Sequence, residues 1–162
     1  MYLERNPLVF SAGMFWEKRV FGCCASNFDT PDYLDLALAI TDAARRQDER
    51  RWDPKAPSTI IARRLFASVK AHLDEIDAED LMLYCSIGTA LDRFHGADAF
   101  FRVRSHVVFI DLTMRLDKRS RKAFLFRPQN LTKRNLFVFG RAIAAVLNDG
   151  IASSRKTTVA AP

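Results

Sequence analysis

Two aspartates sit where aspartate is out of place. Residues 97–104 read ADAFFRVR and residues 107–114 read VVFIDLTM, two runs with the two-residue period of β-strands. Asp is depleted in strands, so Asp111 inside the second run and Asp98 at the start of the first both need a reason. A two-residue turn at Ser105-His106 pairs Asp98 with Thr113 and Phe100 with Asp111. The wholly apolar side of the second run, Val108, Ile110, Leu112 and Met114, demands the same parity, because a one-residue slip would turn it outward. Asp98 and Asp111 then become diagonal neighbours on one face, roughly 7–8 Å apart at Cα. Two carboxylates converging from adjacent strands can share a divalent cation. The plainer alternative for Asp111 is an ion pair with Arg102 or Arg104, and for Asp98 alone a strand start after Gly96.

Positive charge gathers beside these acids. Between Arg115 and Arg134 lie eight basic residues and one acid, a net +7, whereas the rest of the chain holds 17 basic and 18 acidic residues. The overall +6 therefore describes a near-neutral body with one basic segment, the pattern of an anion-binding face or of a solvated loop. A third strand-like run, KAFLFR at 122–127, follows the loop at 115–121. If it returns antiparallel, Lys122 lies opposite Thr113, about one strand spacing from the Asp111 face. Arg102, Arg104, Lys118, Arg119 and Arg121 are placed to neutralise phosphates. Lys133 and Arg134 open the last helix, whose free N–H groups already favour an anion.

The run GADAFFRVRSHVVFIDLT resembles the core of the PD-(D/E)XK nuclease-like superfamily, over roughly Ala90 to Leu125. In that superfamily an acid at a strand start is followed about one hairpin later by a second acid and, two residues on, by a lysine. Asp98 matches the first acid and Asp111 the second, and Thr113 stands where the lysine belongs. The resemblance implies a restriction-endonuclease-like core and Mg²⁺- or Mn²⁺-dependent hydrolysis of DNA. Asp98 and Asp111 are the expected metal ligands, with a further acid from the preceding helix: Asp92, or Glu79 as the alternative. Because lysines migrate between elements in this superfamily, Lys122 is the expected catalytic stand-in and Lys118 the second choice. Two further departures are a strand rather than a helix after Asp111 and no evident opening strand between Phe94 and Ala97.

The elements that must position these residues read as follows. Leu8-Val9-Phe10 and Val20-Phe21 suggest short strands, with Phe15 and Trp16 packing inward. Thr30 as N-cap and Pro31 at the first helical position start a helix to about Arg51, facing the core through Leu34, Ala37, Leu38 and Ile40. Ser58 caps a second helix, in which Ile61, Leu65, Val69 and Leu73 recur at i, i+4. Asp77 with Asp80 resembles a capping box for a third helix to about Phe94, buried through Leu81, Tyr84, Ile87, Leu91 and Phe94. After the strands, a last helix runs from Asn130 or Thr132 to a C-cap at Asp149-Gly150. The expected fold class is α+β: one domain over residues 1–150, with three helices, a three-stranded antiparallel meander and a C-terminal helix. Residues 151–162 read as a flexible tail.

Composition narrows the classes. A chain of 162 residues, 49% hydrophobic and 27% charged, is of single-domain size and neither disordered nor fibrous. Leu8–Trp16 is too short to cross a bilayer and stops at Glu17-Lys18-Arg19, without a signal-peptide cleavage pattern. No longer apolar run is apparent, so no membrane partner is expected. Three cysteines, two of them adjacent, show no zinc spacing and read as reduced thiols in a cytoplasmic protein. His95 and His106 read as a helix-end and a turn residue. The expected function is a divalent-metal-dependent deoxyribonuclease or a descendant with its fold. The alternative is a non-catalytic accessory or inhibitor protein that binds nucleic acid or a protein through the basic 115–134 segment.

Overall fold

The computed structural model describes residues 7–159, with side chains for residues 12–156. Its centre is a four-stranded sheet of β1 (Met82–Cys85), β2 (Ala99–Val103), β3 (His106–Leu112) and β4 (Ala123–Phe126), in spatial order β1-β2-β3-β4. The first three strands are antiparallel and β4 runs parallel to β3. Helices cover both faces, so the α+β expectation holds, but with four strands in a mixed sheet rather than three in a meander.

On one face the odd-numbered β2 residues Phe101 and Val103 meet Leu83, Val108, Ile110 and Phe126. They pack on α1 (Pro7–Phe21), α3 (Ile60–Lys70) and α6 (Lys133–Val159). On the other, Tyr84 and Phe100 stack under α2 (Leu36–Arg45) and α5 (Ala90–His95). A short helix, α4 (Glu75–Glu79), precedes β1. The alternation seen in the sequence thus feeds two separate cores. Each fully buried Phe of the pair Phe100 and Phe101 contributes about 1.5–3 kcal/mol through loss of apolar surface to water.

Several elements differ from the sequence reading, for identifiable reasons. The expected strands at 8–10 and 20–21 are both part of α1. Trp16 and Val20 bury one i, i+4 stripe, and that helical spacing overrides the β-propensity of Val and Phe. The next helix starts at Leu36 rather than Pro31: the Asp35 carboxylate accepts from the Leu38 N–H at 3.0 Å. It buries Ala39 and Ala43 and leaves Leu38 exposed, so the expected core face is rotated. Thr59 rather than Ser58 caps α3, accepting from Ala62 N at 3.2 Å, and the Leu65–Val69 stripe is buried as its spacing required.

The expected third helix is α4, β1 and α5. Leu83, Tyr84 and Cys85 are buried on both sheet faces, and such a strand reads as a continuous apolar run that helical spacing fits equally well. Gly88, at φ +77°, makes the turn between β1 and α5; a Cβ there would stand 2.6 Å from the Phe28 ring. Asp77 is not a capping residue. It is buried and held by Arg104 at 3.2 Å and Arg155 at 3.0 Å. The free edge of β1 is closed by a strap: the Gln47 amide exchanges hydrogen bonds with Cys85 N and O, and Pro54 O accepts from Leu83 N.

The β2–β3 hairpin turns one step earlier than Ser105-His106. Arg104 takes φ 55° and Val103 pairs with His106, so Phe100 faces Phe109 rather than Asp111. The parity is unchanged. Residues 113–122 then form a crossover instead of a hairpin loop, which makes β4 parallel: Phe109 pairs with Ala123 and Asp111 with Leu125. Finally, α6 continues through Asp149-Gly150 to Val159. Gly150 is a packing gap rather than a C-cap, since a Cβ there would stand 2.8 Å from His106 Nδ1. By length and composition Lys133–Lys156 could cross a membrane, with a mean hydropathy of 1.4. Arg141, Asn148 and Asp149 interrupt its apolar run, so it holds no uninterrupted apolar stretch of that length. In the fold it packs on α3 and β3, with Ile143, Ala144, Leu147 and Ile151 buried.

Candidate active site

One end of the sheet collects charge from five elements. Asp98 stands just before β2 and is buried. Its N–H donates to Ile110 O at 2.9 Å and its C=O accepts from Ser86 N at 2.8 Å, so its backbone bridges both neighbouring strands. Its carboxylate Oδ2 accepts from the Leu112 N–H at 2.6 Å, doing the work of a ladder carbonyl. Asp111 is buried near the C-terminal end of β3, one position past the Ile110 that pairs with Ala99. Asp98 stands at the irregular start of β2, where its N–H reaches the same Ile110 that pairs with Ala99, and its carboxyl lies near enough to Asp111 for the two charges to repel.

Asp92 joins them from the first turn of α5, where Oδ2 accepts from Gly88 N at 2.6 Å. Its carboxyl also hydrogen-bonds that of Asp98. Glu17 arrives from α1, an acid the sequence reading did not single out. Trp16 Nε1 donates to Phe126 O at 3.3 Å and so seats α1 over the ends of β3 and β4. Glu17 Oε2 then accepts from Ala25 N at 2.8 Å. Nothing local in the sequence marks Glu17, because its role depends on a contact between residues 16 and 126.

Burial raises the Asp98 carboxyl well above the usual range, and the neighbouring Asp92 and Asp111 charges raise it further against the Leu112 N–H. Asp92 is raised by burial, against the opposing hydrogen bonds from Gly88 and Asp98. Glu17 is raised by burial, with Asp92 adding to it. Three carboxyls with raised pKa values mark a site short of positive charge.

The cation that is present is Lys118, not Lys122. Its Nζ lies 2.6 Å from Asp111 Oδ2. Arg127, at the end of β4, holds the loop that carries it: Nε donates to Arg115 O at 3.1 Å and Nη2 to Lys118 O at 2.7 Å. Lys122 instead lines a small pocket with Leu36, Leu91, Phe94 and His95. The parallel course of β4 places it one position before the Ala123 that pairs with Phe109 and three before the Leu125 that pairs with Asp111, roughly 10 Å along the strand from the latter. Thr113, at the motif lysine position, is buried with its N–H on Phe126 O at 3.0 Å.

The remaining basic residues separate into two groups. Arg119 and Arg121 are exposed on the Lys118 loop, and Lys133 and Arg134 are exposed at the start of α6. Arg102 lies over the Tyr84 ring and donates to its hydroxyl at 2.6 Å. Arg104 is paired with Asp77 and Asp80 at the other end of β2. Neither pairs with Asp111. Glu79 pairs with Lys70 and is not part of the cluster. His95 bonds Leu34 O, and His106 packs on α6 beside Ser154.

Among the described residues no three carboxylate, imidazole or thiol groups form a ready-made metal cage. Donors of the right chemistry are there, but each is engaged: Asp98 by Leu112, Asp92 by Gly88 and Asp111 by Lys118. No family model matches the chain, no curated protein matches its sequence and no solved structure matches its fold.

Proposed function

We propose that the chain is a divalent-cation-dependent nuclease that hydrolyses phosphodiester bonds in DNA on a restriction-endonuclease-like core. The observation that carries this reading is the convergence of Asp92, Asp98 and Asp111 at one sheet end with Lys118 on Asp111, beneath an exposed basic loop. The resemblance to the PD-(D/E)XK superfamily gains an opening strand, since β1 pairs antiparallel with β2, although α5 intervenes. It keeps its other departures: Thr113 at the lysine position and a loop rather than a helix between β3 and β4.

The donor set suits a hard dication, because it is all carboxylate oxygen and short of positive charge. Asp98 and Asp111, with Asp92 or Glu17, would hold Mg²⁺ or Mn²⁺. When bound, such a cation makes water more acidic and offsets charge building on the phosphate. Lys118 exchanges Asp111 for the attacking water or the phosphate oxygen, orienting one or stabilising the other. Arg127 keeps the Lys118 backbone in place. Arg119, Arg121, Lys133 and Arg134 neutralise flanking phosphates, giving salt-dependent binding.

A second reading rests on the engaged state of the acids. If Lys118 permanently neutralises Asp111, the fold is a nuclease descendant that binds DNA or an acidic protein partner without cutting. Plasmid incubated with Mg²⁺ or Mn²⁺ separates the two. The nuclease reading expects nicking that is lost in Asp111→Asn and Lys118→Met. Intact DNA binding with no cleavage by the wild-type chain under either metal overturns it in favour of the binding module.

A further inference from the structure

We propose that Cys23 and Cys85 form an oxidative modification site that closes to a disulfide on exposure to peroxide. Their Sγ atoms are in contact at 3.6 Å, although 62 positions separate them in the chain. A disulfide needs about 2.05 Å, so the sulfurs must approach by roughly 1.5 Å, within reach of side-chain rotation and a small backbone shift. Cys24, the immediate neighbour, points elsewhere: its thiol contacts Ser26 Oγ at 3.1 Å and Asn27 Oδ1 at 3.3 Å. The geometry therefore selects one pair out of three cysteines.

The two thiols are not equivalent. Cys85 is fully enclosed at the end of β1, while Cys23 keeps 9% of its surface open just after α1. The hydrogen bond with Cys85 pulls the Cys23 thiol below its ordinary pKa, and Arg50 adds to this. Cys23 is accordingly the sulfur that meets the oxidant and Cys85 the one that resolves it. In the first step the Cys23 thiolate attacks one peroxide oxygen and the O–O bond breaks. The displaced hydroxide takes up the thiol's proton as water and leaves a sulfenic acid. In the second, Cys85 sulfur displaces the sulfenic hydroxyl, and its own proton leaves with that hydroxyl as a second water. Two thiols and one hydrogen peroxide give one disulfide and two waters, the two electrons passing from sulfur to peroxide.

The bond would join the exit of α1, the helix that carries Glu17, to the strand that leads into Gly88 and Asp92. It requires nothing of the nuclease reading.

The test uses the full chain, wild type and Cys24→Ser, treated with hydrogen peroxide, alkylated and mapped by mass spectrometry without reduction. The expected result is a Cys23–Cys85 linked peptide in both, with a loss of about 2 Da from the intact chain. The thermal midpoint should rise, because the link constrains the unfolded chain, and dithiothreitol should reverse the rise. In Cys85→Ser, Cys23 should accumulate as a sulfenic acid that dimedone traps; if that variant does not fold, the wild-type map alone decides. Pairing through Cys24, a Cys23 sulfinic acid with Cys85 still reduced, or both thiols unchanged would each overturn the proposal.

Discussion

Replacing Asp98 by Asn and by Ala separates what its charge costs from what its hydrogen bond contributes. The Asn oxygen can still accept from the Leu112 N–H that Asp98 holds at 2.6 Å, and its amide N–H can donate to the Asp92 carboxyl. The charge opposed by burial, Asp92 and Asp111 is gone. Neutralising a strained functional carboxylate is a stabilising change of the usual size, about 1–2 kcal/mol. Ala relieves the same charge but strands a buried N–H, at a cost of about 1–3 kcal/mol. In a chain of this size each kcal/mol moves the thermal midpoint by about 2–4 °C. Asn should therefore melt roughly 2–8 °C above the wild type, and Ala at or below it. The pH arm has a definite sign. A raised folded-state pKa means stability that is present below the unfolded value near 3.8 and is lost as pH rises through the folded value. Asp92 and Glu17 have the same sign. The advantage of Asn should accordingly grow as pH rises above the unfolded carboxyl value in calorimetric melts. An advantage that shrinks with pH, or an Asn variant no more stable than Ala, would refute the electrostatic reasoning.

Further outcomes follow from the same geometry. Lys118→Met leaves Asp111, with 7% of its side chain exposed, without its cation. Because the lysine is 38% exposed, the cost falls below that of a fully buried pair, to about 1–2 kcal/mol in urea unfolding, and adding Asp111→Asn should restore it. Lys122→Met should leave both stability and plasmid nicking within twofold of wild type, since Lys122 lies away from the acids; a large loss of nicking would return it to the site. Gln47→Leu removes the amide that satisfies both Cys85 N and O on the β1 edge. It should cost about 2 kcal/mol or more and increase hydrogen exchange at Cys85 first.

Parity was the part of the site legible in the sequence. Apolar alternation fixed which β2 and β3 residues share a face, and that survived a hairpin turn placed one step too late, because a shift of two residues in register preserves faces. Direction was not legible. KAFLFR pairs equally well parallel or antiparallel from its own pattern, and the choice moves Lys122 away from Asp111 and brings Lys118 in. Long-range placement was equally silent: Glu17 depends on Trp16 reaching Phe126, and β1 on a strap from Gln47 to Pro54. Helical spacing misled at Leu81–Leu91, where a strand buried on both faces leaves no period of its own.

The account's central claim is that these carboxylates hold a divalent cation. The most direct measurement is anomalous diffraction from crystals of the wild-type chain soaked in Mn²⁺. The predicted result is a peak between the Asp98 and Asp111 carboxylates, with Lys118 Nζ moved off Asp111, and no peak in Asp111→Asn crystals. Saturating Mn²⁺ with no density there, and Lys118 still on Asp111, would contradict it.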